Sequence, residues 1–232
     1  MLIDGRSVAE AVAATGAQLA GWQLTTQDDA LAQALVAAGA TLTRRAFIMS
    51  SDLTTATDQG FALESFVLLP MPVTADIKSW AHVLDSWRAA FPPGHPDYID
   101  VSNDDDAVQF FTRLVDGSEM GPLHRSSCLL ANREGRALAG IIVNVRSGAL
   151  PRGGPWISDI WRDPALRGSG VGPALIDRSK RQLADDGFTA LTLAVTASND
   201  AHRTYERAGF AKVMDSHYLK IPASPHDPSH RP

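Results

Sequence analysis

The 232-residue chain carries one cysteine, Cys128. A lone cysteine excludes an internal disulfide and any cysteine-based metal site. Its setting, Ser127-Cys128-Leu129-Leu130, predicts a buried, inert thiol and not a nucleophile. No apolar stretch is long enough to span a bilayer. The N-terminus lacks the cationic region and long apolar core of a signal peptide. These absences predict a cytoplasmic protein with no membrane partner. Excess positive charge is missing as well: the formal net charge is −5, which argues against nucleic acid held through its phosphates. With 44% hydrophobic residues, the chain is long enough to bury one full core plus an appendage. The proline-rich end, Pro222–Pro232, reads as a disordered tail.

The densest signal is the run Arg167-Gly168-Ser169-Gly170-Val171-Gly172. An apolar segment, Trp156 to Trp161, precedes it, and a helical segment opening on Pro173 follows. Glycines let backbone N–H groups approach an anion closely, and a helix start adds open donors and a positive dipole end. Arg167 adds a forked cation suited to phosphate. Two nucleotide fingerprints are absent. Counted from Gly168, a G-x-G-x-x-G pattern would need glycine where Pro173 stands, and no Walker-type Gly-Lys-Ser/Thr run exists. The pattern that fits is R-x-x-G-x-G: Arg167, Gly170, Gly172.

That pattern resembles the pyrophosphate loop of the GNAT acyltransferase superfamily. The line Asp159-Ile160-Trp161-Arg162-Asp163-Pro164, with Arg167 three residues after the proline, is similar to that family's fourth strand and entry turn. Downstream, Phe188 to Val195 patterns as a strand, and Ser198-Asn199-Asp200-Ala201 is an N-cap signal. A short helix carrying Tyr205 ends at Gly209, and Phe210 starts the next strand. Asn199, Tyr205, Gly209 and Phe210 resemble the family's closing motif. The resemblance implies a mixed α/β fold, with a central, mostly antiparallel sheet flanked by helices, from about residue 60 to 221.

The rest of the chain fits that order. Phe61 to Leu69 reads as a strand. Thr74 to Ala90 reads as a helix with Ile77, Trp80, Ala81 and Leu84 on one face. Three acids, Asp104 to Asp106, open a helix that runs on to Val115. Ser127–Leu130 and Ala137–Val145 form a hairpin about Asn132–Arg136. Two strands are expected after the Tyr205 helix. Residues 1–55 form a β-α-β extension: a strand over Leu19–Leu24, a helix over Asp28–Ala38 ending at Gly39, and a strand over Thr41–Met49. Asp29, Ala38 and Gly39 stand at one constant offset from Asn199, Ala208 and Gly209. The extension reads either as a degenerate partial copy of the fold or as a generic β-α-β addition. It carries no chemistry of its own and suits a sheet edge or a homodimer surface.

The resemblance also assigns roles. The co-substrate is acetyl-CoA, no metal is called for, and the acceptor is a small amine. Arg167, Gly168, Ser169, Gly170, Val171, Gly172 and Pro173 hold the pyrophosphate, with Pro173 at the first helical position, where a missing N–H costs little. Backbone groups of Ile160, Trp161 and Arg162 meet the pantetheine arm. Asn199 hydrogen-bonds that arm or serves as a plain N-cap. Tyr205 protonates the departing thiolate or only packs. Asp159 is a general base or a buried acid satisfied by backbone N–H groups. The stretch Phe91 to Asp100 lines the acceptor side, with His95 and Tyr98 as candidate substrate residues. The expected activity is transfer of acetyl to a primary amine by direct attack. The alternative is a silent acyl-CoA sensor or scaffold.

Overall fold

A computed structural model of the chain describes residues 2–3, 6–54, 66–72, 77–101 and 103–223. In chain order its elements are β1 (Leu2–Ile3), β2 (Arg6–Ser7), α1 (Val8–Gln18), β3 (Gln23–Thr26), α2 (Asp29–Ala37), β4 (Thr41–Asp52), β5 (Val67–Leu69), α3 (Ile77–Ala90), α4 (Asp104–Val115), β6 (Cys128–Ala131), β7 (Ala137–Arg146), β8 (Gly154–Arg162), α5 (Val171–Asp185), β9 (Ala190–Thr196), α6 (Ala201–Arg207) and β10 (Ala211–Lys220). One 3₁₀ turn, Pro164–Leu166, lies between β8 and α5. The fold is mixed α/β with mostly antiparallel strand pairing, as the sequence predicts. Two compact units are present: Met49–Ala211, and a second formed by Met1–Ile48 with Lys212–Pro232.

In the larger unit the strand order is β9-β8-β7-β6-β5. Strands β5 to β8 pair antiparallel, and β8 meets β9 in parallel. A parallel neighbour needs a crossover, which α5 supplies. The β6–β7 hairpin turns at Gly135, whose φ of 83° is open to glycine without strain. Helix α4 starts as expected: the side chain of Asn103 accepts from the Asp106 N–H at 2.9 Å, and three acids sit at the positive end of the helix dipole. Its face of Ala107, Val108, Phe111, Leu114 and Val115 is buried.

Helix α3 departs from the expected face. Trp80, Val83, Leu84 and Trp87 are buried, whereas Ala81 is exposed. The apolar stripe follows i, i+3, i+4, i+7 from Trp80, and Ala81 falls outside it. Residues 61–65 and 74–76, and the side chain of Ile77, lie outside the described residues. Trp80 stacks on Phe111 at 4.9 Å between centroids, and Phe111 meets Trp161 at 5.7 Å. This aromatic cluster carries α3 and α4 against the middle of the sheet. Gly140 makes room for it, since a Cβ there would stand 2.3 Å from Trp161 Cη2. Gly140→Ala is expected to destabilise the protein by about 1–3 kcal/mol through overpacking, read from denaturant unfolding. Wild-type stability would mean that Trp161 can shift freely.

The smaller unit has the strand order β3-β10-β4, with β10 antiparallel to β3. Leu31, Ala32, Leu35, Ala40, Leu219 and Ile221 form its core. Asp28 caps α2 by accepting from the N–H groups of Ala30 and Leu31 at 2.9 and 3.0 Å. The expected strand at Leu19–Leu24 lies later, at Gln23–Thr26. A preceding helix, α1, ends at Gln18, and the chain turns through Gly21 at φ 81°. The two strands expected at the C-terminal end are one unbroken strand, β10, because Ala211 to Lys220 contains no glycine or proline to turn it. Helices α2 and α6 end alike, with Ala40 N–H donating to Leu35 O and Phe210 N–H to Tyr205 O. Any Ala-Gly helix stop produces that geometry, so it does not by itself make a repeat. Residues 224–232 of the expected tail lie outside the described residues.

Candidate functional site

The site begins with two irregularities in β8. Against β7, Asp159 faces Ile142 and Ile157 faces Val143, which leaves Ser158 as an extra, bulged residue. The Ser158 hydroxyl donates to Asn144 Oδ1 at 2.7 Å, and Asn144 Nδ2 is itself held by the carbonyls of Leu114 and Gly121, each at 2.7 Å. Against β9, parallel pairing covers Trp156↔Thr192 and Ile157↔Leu193. From Ser158 to Arg162 the two strands part. Backbone groups on that edge of β8, over Ile160, Trp161 and Arg162, therefore face a gap and not a neighbouring strand. The Trp161 side chain turns away from it: it is buried, with Nε1 donating to Ser86 Oγ at 3.1 Å.

Asp159 stands at the head of this gap. Trp87 Nε1 donates to its Oδ2 at 2.9 Å, and the Ile160 N–H also donates to the carboxylate. Loss of hydration dominates, and with a smaller push from the charge of Asp97 it raises the Asp159 carboxyl to about 7, against the two donors that hold it down. Tyr205, on α6, is half-buried. Burial pushes its hydroxyl above the ordinary tyrosine value, and the charges of Asp97 and Asp159 push the same way. One acid poised near neutrality and one phenol kept protonated share a neighbourhood. That is the division of labour proton transfer requires.

At the far end of β8 the chain enters the glycine turn. The Asp163 side chain caps the 3₁₀ turn by accepting from Ala165 N–H at 2.9 Å. Gly168 and Gly170 both adopt left-handed backbone, at φ 82° and 78°, and Gly170 is the N-cap of α5. The helix begins at Val171, so Pro173 is its third residue and not its first. A proline is tolerated there for the same reason, since N–H groups of the first turn have no intrahelical acceptor. Ser169 is exposed, and its donors are used within the turn: its hydroxyl donates to Leu166 O at 2.7 Å and its N–H to the same carbonyl at 3.1 Å. Open donors therefore lie on Gly170, Val171 and Gly172, and Arg167 is exposed beside them.

Other expected residues are placed differently. Asn199 uses both ends of its amide: Oδ1 accepts from Ala201 N–H at 2.9 Å, capping α6, and Nδ2 donates to Asp97 at 2.6 Å. His95 packs edge-on to Phe91 at 5.1 Å, and its Nδ1 accepts from the Asp97 N–H at 3.1 Å, so it shapes its loop from within. Tyr98 is 41% exposed. Three residues that the sequence patterns do not single out bear on the site. Trp87 and Asp97 are two. The third is Lys180, whose Nζ donates to Ala208 O and lies 4.9 Å over the Phe210 ring, holding the C-terminal end of α6. Cys128 is buried and its thiol is pushed up by that burial, in keeping with an inert core residue. Among the described residues there is no group of three or more histidines, cysteines or acids able to hold a metal ion, and no helix is long and apolar enough to cross a membrane.

A parallel strand pair that parts above a glycine turn and a helix start defines a cleft able to take an extended, phosphate-bearing ligand. Comparison with known proteins makes this specific. The sequence model of the Acetyltransferase (GNAT) family matches residues 80–210, more than half of the chain, and the protein belongs to that family. Its structure is similar to that of a GCN5-related N-acetyltransferase from Sphaerobacter thermophilus, at 15% identity and TM-score 0.59, over 88% of this chain and 62% of that one. A GNAT-family acetyltransferase from Colwellia psychrerythraea aligns at 13% identity and TM-score 0.58, over 91% and 71%. A GCN5-related N-acetyltransferase from Kribbella flavida aligns at 16% and 0.55, over 94% and 78%. Identities this low speak for the fold alone. The chain spans less than two thirds of the Sphaerobacter protein's length. No curated protein matches the chain.

Proposed function

We propose that the protein is an acetyl-CoA-dependent N-acetyltransferase that acts on a primary amine of a small molecule or a peptide N-terminus by direct attack. The observation that carries this reading is the point where β8 leaves β9, with Asp159 just beyond the last paired residue and its charge felt by the hydroxyl of Tyr205. Acetyl-CoA supplies the activated acetyl group. Its pyrophosphate would lie on the N–H groups of Gly170, Val171 and Gly172, with Arg167 alongside. Its pantetheine arm would run along the free edge of β8 over Ile160 to Arg162, in the manner of an added strand.

Asp159 takes the proton from the acceptor ammonium. A carboxyl raised to about 7 is basic enough for this while remaining largely ionised just above neutrality. The amine nitrogen then forms its bond to the acetyl carbon as the carbon–sulfur bond breaks. Tyr205 gives its proton to the departing sulfur, leaving free thiol, and the second proton that the nitrogen sheds as the amide forms restores the phenol. The acceptor approaches past the Phe91–Val101 loop, and the negative charge around Asp97 and Asp159 favours a cationic amine. Residues 60–221 would form the transferase portion, with residues 1–55 as a packing extension that also suits a dimer surface. A cytoplasmic location is part of the same proposal.

Isothermal calorimetry with acetyl-CoA, CoA and NAD, followed by thiol release across a panel of amines, tests the reading. Tight acetyl-CoA binding with amine-dependent thiol release is expected. Absence of acetyl-CoA binding sinks it, and binding without thiol release for any amine would favour a sensor. Gly170→Val is expected to abolish acetyl-CoA binding, because a β-branched residue resists the left-handed backbone that the turn requires. Retained affinity in calorimetry would move the phosphates elsewhere.

A further inference from the structure

The loop between α3 and α4 is tied to the β9–α6 corner through one side chain. Asp97 Oδ1 accepts from the Thr196 N–H at 3.2 Å and from the Thr196 hydroxyl. Its Oδ2 accepts from Asn199 Nδ2 at 2.6 Å. These partners stand 99 and 102 residues further along the chain. Asn199 carries the contact into the helix, since its Oδ1 accepts from Ala201 N–H at 2.9 Å and satisfies a donor left open at the start of α6.

The loop is braced on its own side too. The Asp97 N–H donates to His95 Nδ1, the His95 ring meets Phe91, and Phe91 meets Trp87 at 6.0 Å. Trp87 donates to Asp159. A continuous circuit thus runs from Asp159 through the loop to the helix of Tyr205. A carboxylate suits the joint because three donors converge on its two oxygens; an amide would offer one acceptor and turn its NH₂ against the remaining donors. The groups facing Asp159 are Trp87 from α3, the Ile160 N–H of its own strand and Asp97 from the loop. Tyr205, on α6, feels both Asp97 and Asp159.

We propose that Asp97 is a positioning residue for acyl transfer: it locks the α3–α4 loop to the β9–α6 corner and so fixes where the acceptor amine lies between Asp159 and Tyr205. The proposal rests on the acyltransferase reading above. Asp97 acts through Asp159 and Tyr205, and its charge opposes ionisation of both.

Two readouts on the full chain test it. Carbon-13 NMR of the Asp159 carboxyl needs no substrate: Asp97→Asn is expected to lower the titration midpoint, and Trp87→Phe to raise it. In the thiol-release assay, Asp97→Asn is expected to cut kcat/KM for the amine by about tenfold or more, as misplacement of a reacting group does, with KM for acetyl-CoA unchanged. Either an unmoved midpoint or an unchanged kcat/KM for the amine overturns the proposal, and so does a change confined to melting temperature. If Asp97→Asn does not fold, Thr196→Val keeps the charge and removes one donor. A lower amine kcat/KM at unchanged acetyl-CoA KM then supports the lock, and wild-type kinetics overturns it. If the wild-type protein binds no acetyl-CoA in calorimetry, the acyltransferase reading falls and takes the proposal with it. That outcome is distinct from an unmoved midpoint in a protein that does bind.

Discussion

Tyr205→Phe is expected to lower kcat by roughly tenfold to several hundredfold, the range of a lost general acid, while the acetyl-CoA dissociation constant stays close to wild type. The substitution removes one oxygen and keeps the ring, so the edge contact with Phe210 at 6.1 Å survives, as does the α6 C-terminus held by Lys180. The glycine turn that would bind the phosphates lies on a different element. Burial and two neighbouring carboxylates keep the Tyr205 hydroxyl protonated throughout the neutral range, so no descending limb of the wild-type pH profile below pH 10 should belong to it. Steady-state kinetics with calorimetry checks both halves. An unchanged kcat reduces Tyr205 to a packing residue.

What the sequence disclosed follows from how local each feature is. The acidic start of α4, the hairpin about Gly135 and the α6 stop at Gly209 are written in adjacent residues, and each lies where the pattern places it. Misplacements arose where a neighbour overrode the pattern. Leu19–Gly21 looks strand-like until α1 ends beside it and turns the chain, and Ala81 loses its place to the Val83–Trp87 stripe. The β8 bulge had no signal at all, because Ser158 is set apart only by the register that β7 imposes. Asp97 was hidden for a similar reason. It lies in the loop that drew attention to His95 and Tyr98, but its partners arrive from about a hundred residues away. Trp87 was legible as an apolar helix residue; its indole N–H on Asp159 was not. Pattern reading finds what backbone chemistry requires locally, and misses what two distant elements decide together.

Asp159→Asn carries the second large effect, with opposite signs on stability and rate. The folded-state carboxyl titrates near 7, above its ordinary value of 3.8. Between those values the folded protein keeps a proton that the unfolded chain has released, so the stability contributed by the neutral form is full below about pH 4 and is lost as pH rises through 7. At about 1.4 kcal/mol per unit the loss is at most about 4 kcal/mol, and the partial contact of Asp159 with water reduces it to about half that. Asparagine does not titrate. Its amide oxygen can still accept from Trp87, and its NH₂ faces the charge of Asp97 favourably. The variant should therefore gain on wild type as pH rises from 5 to 8, with the difference in unfolding free energy levelling off above that. A gap that does not change with pH would mean that Asp159 does not titrate in the folded protein. The rate moves the other way. Without the base, thiol release at pH 7 should fall by about a hundredfold, within the usual span for proton transfer. The deficit should narrow as pH approaches that of the free amine, which then arrives without its proton. A deficit that stays constant across that range would leave Asp159 a charge for orienting the ammonium, and would take the proton-accepting role away from it.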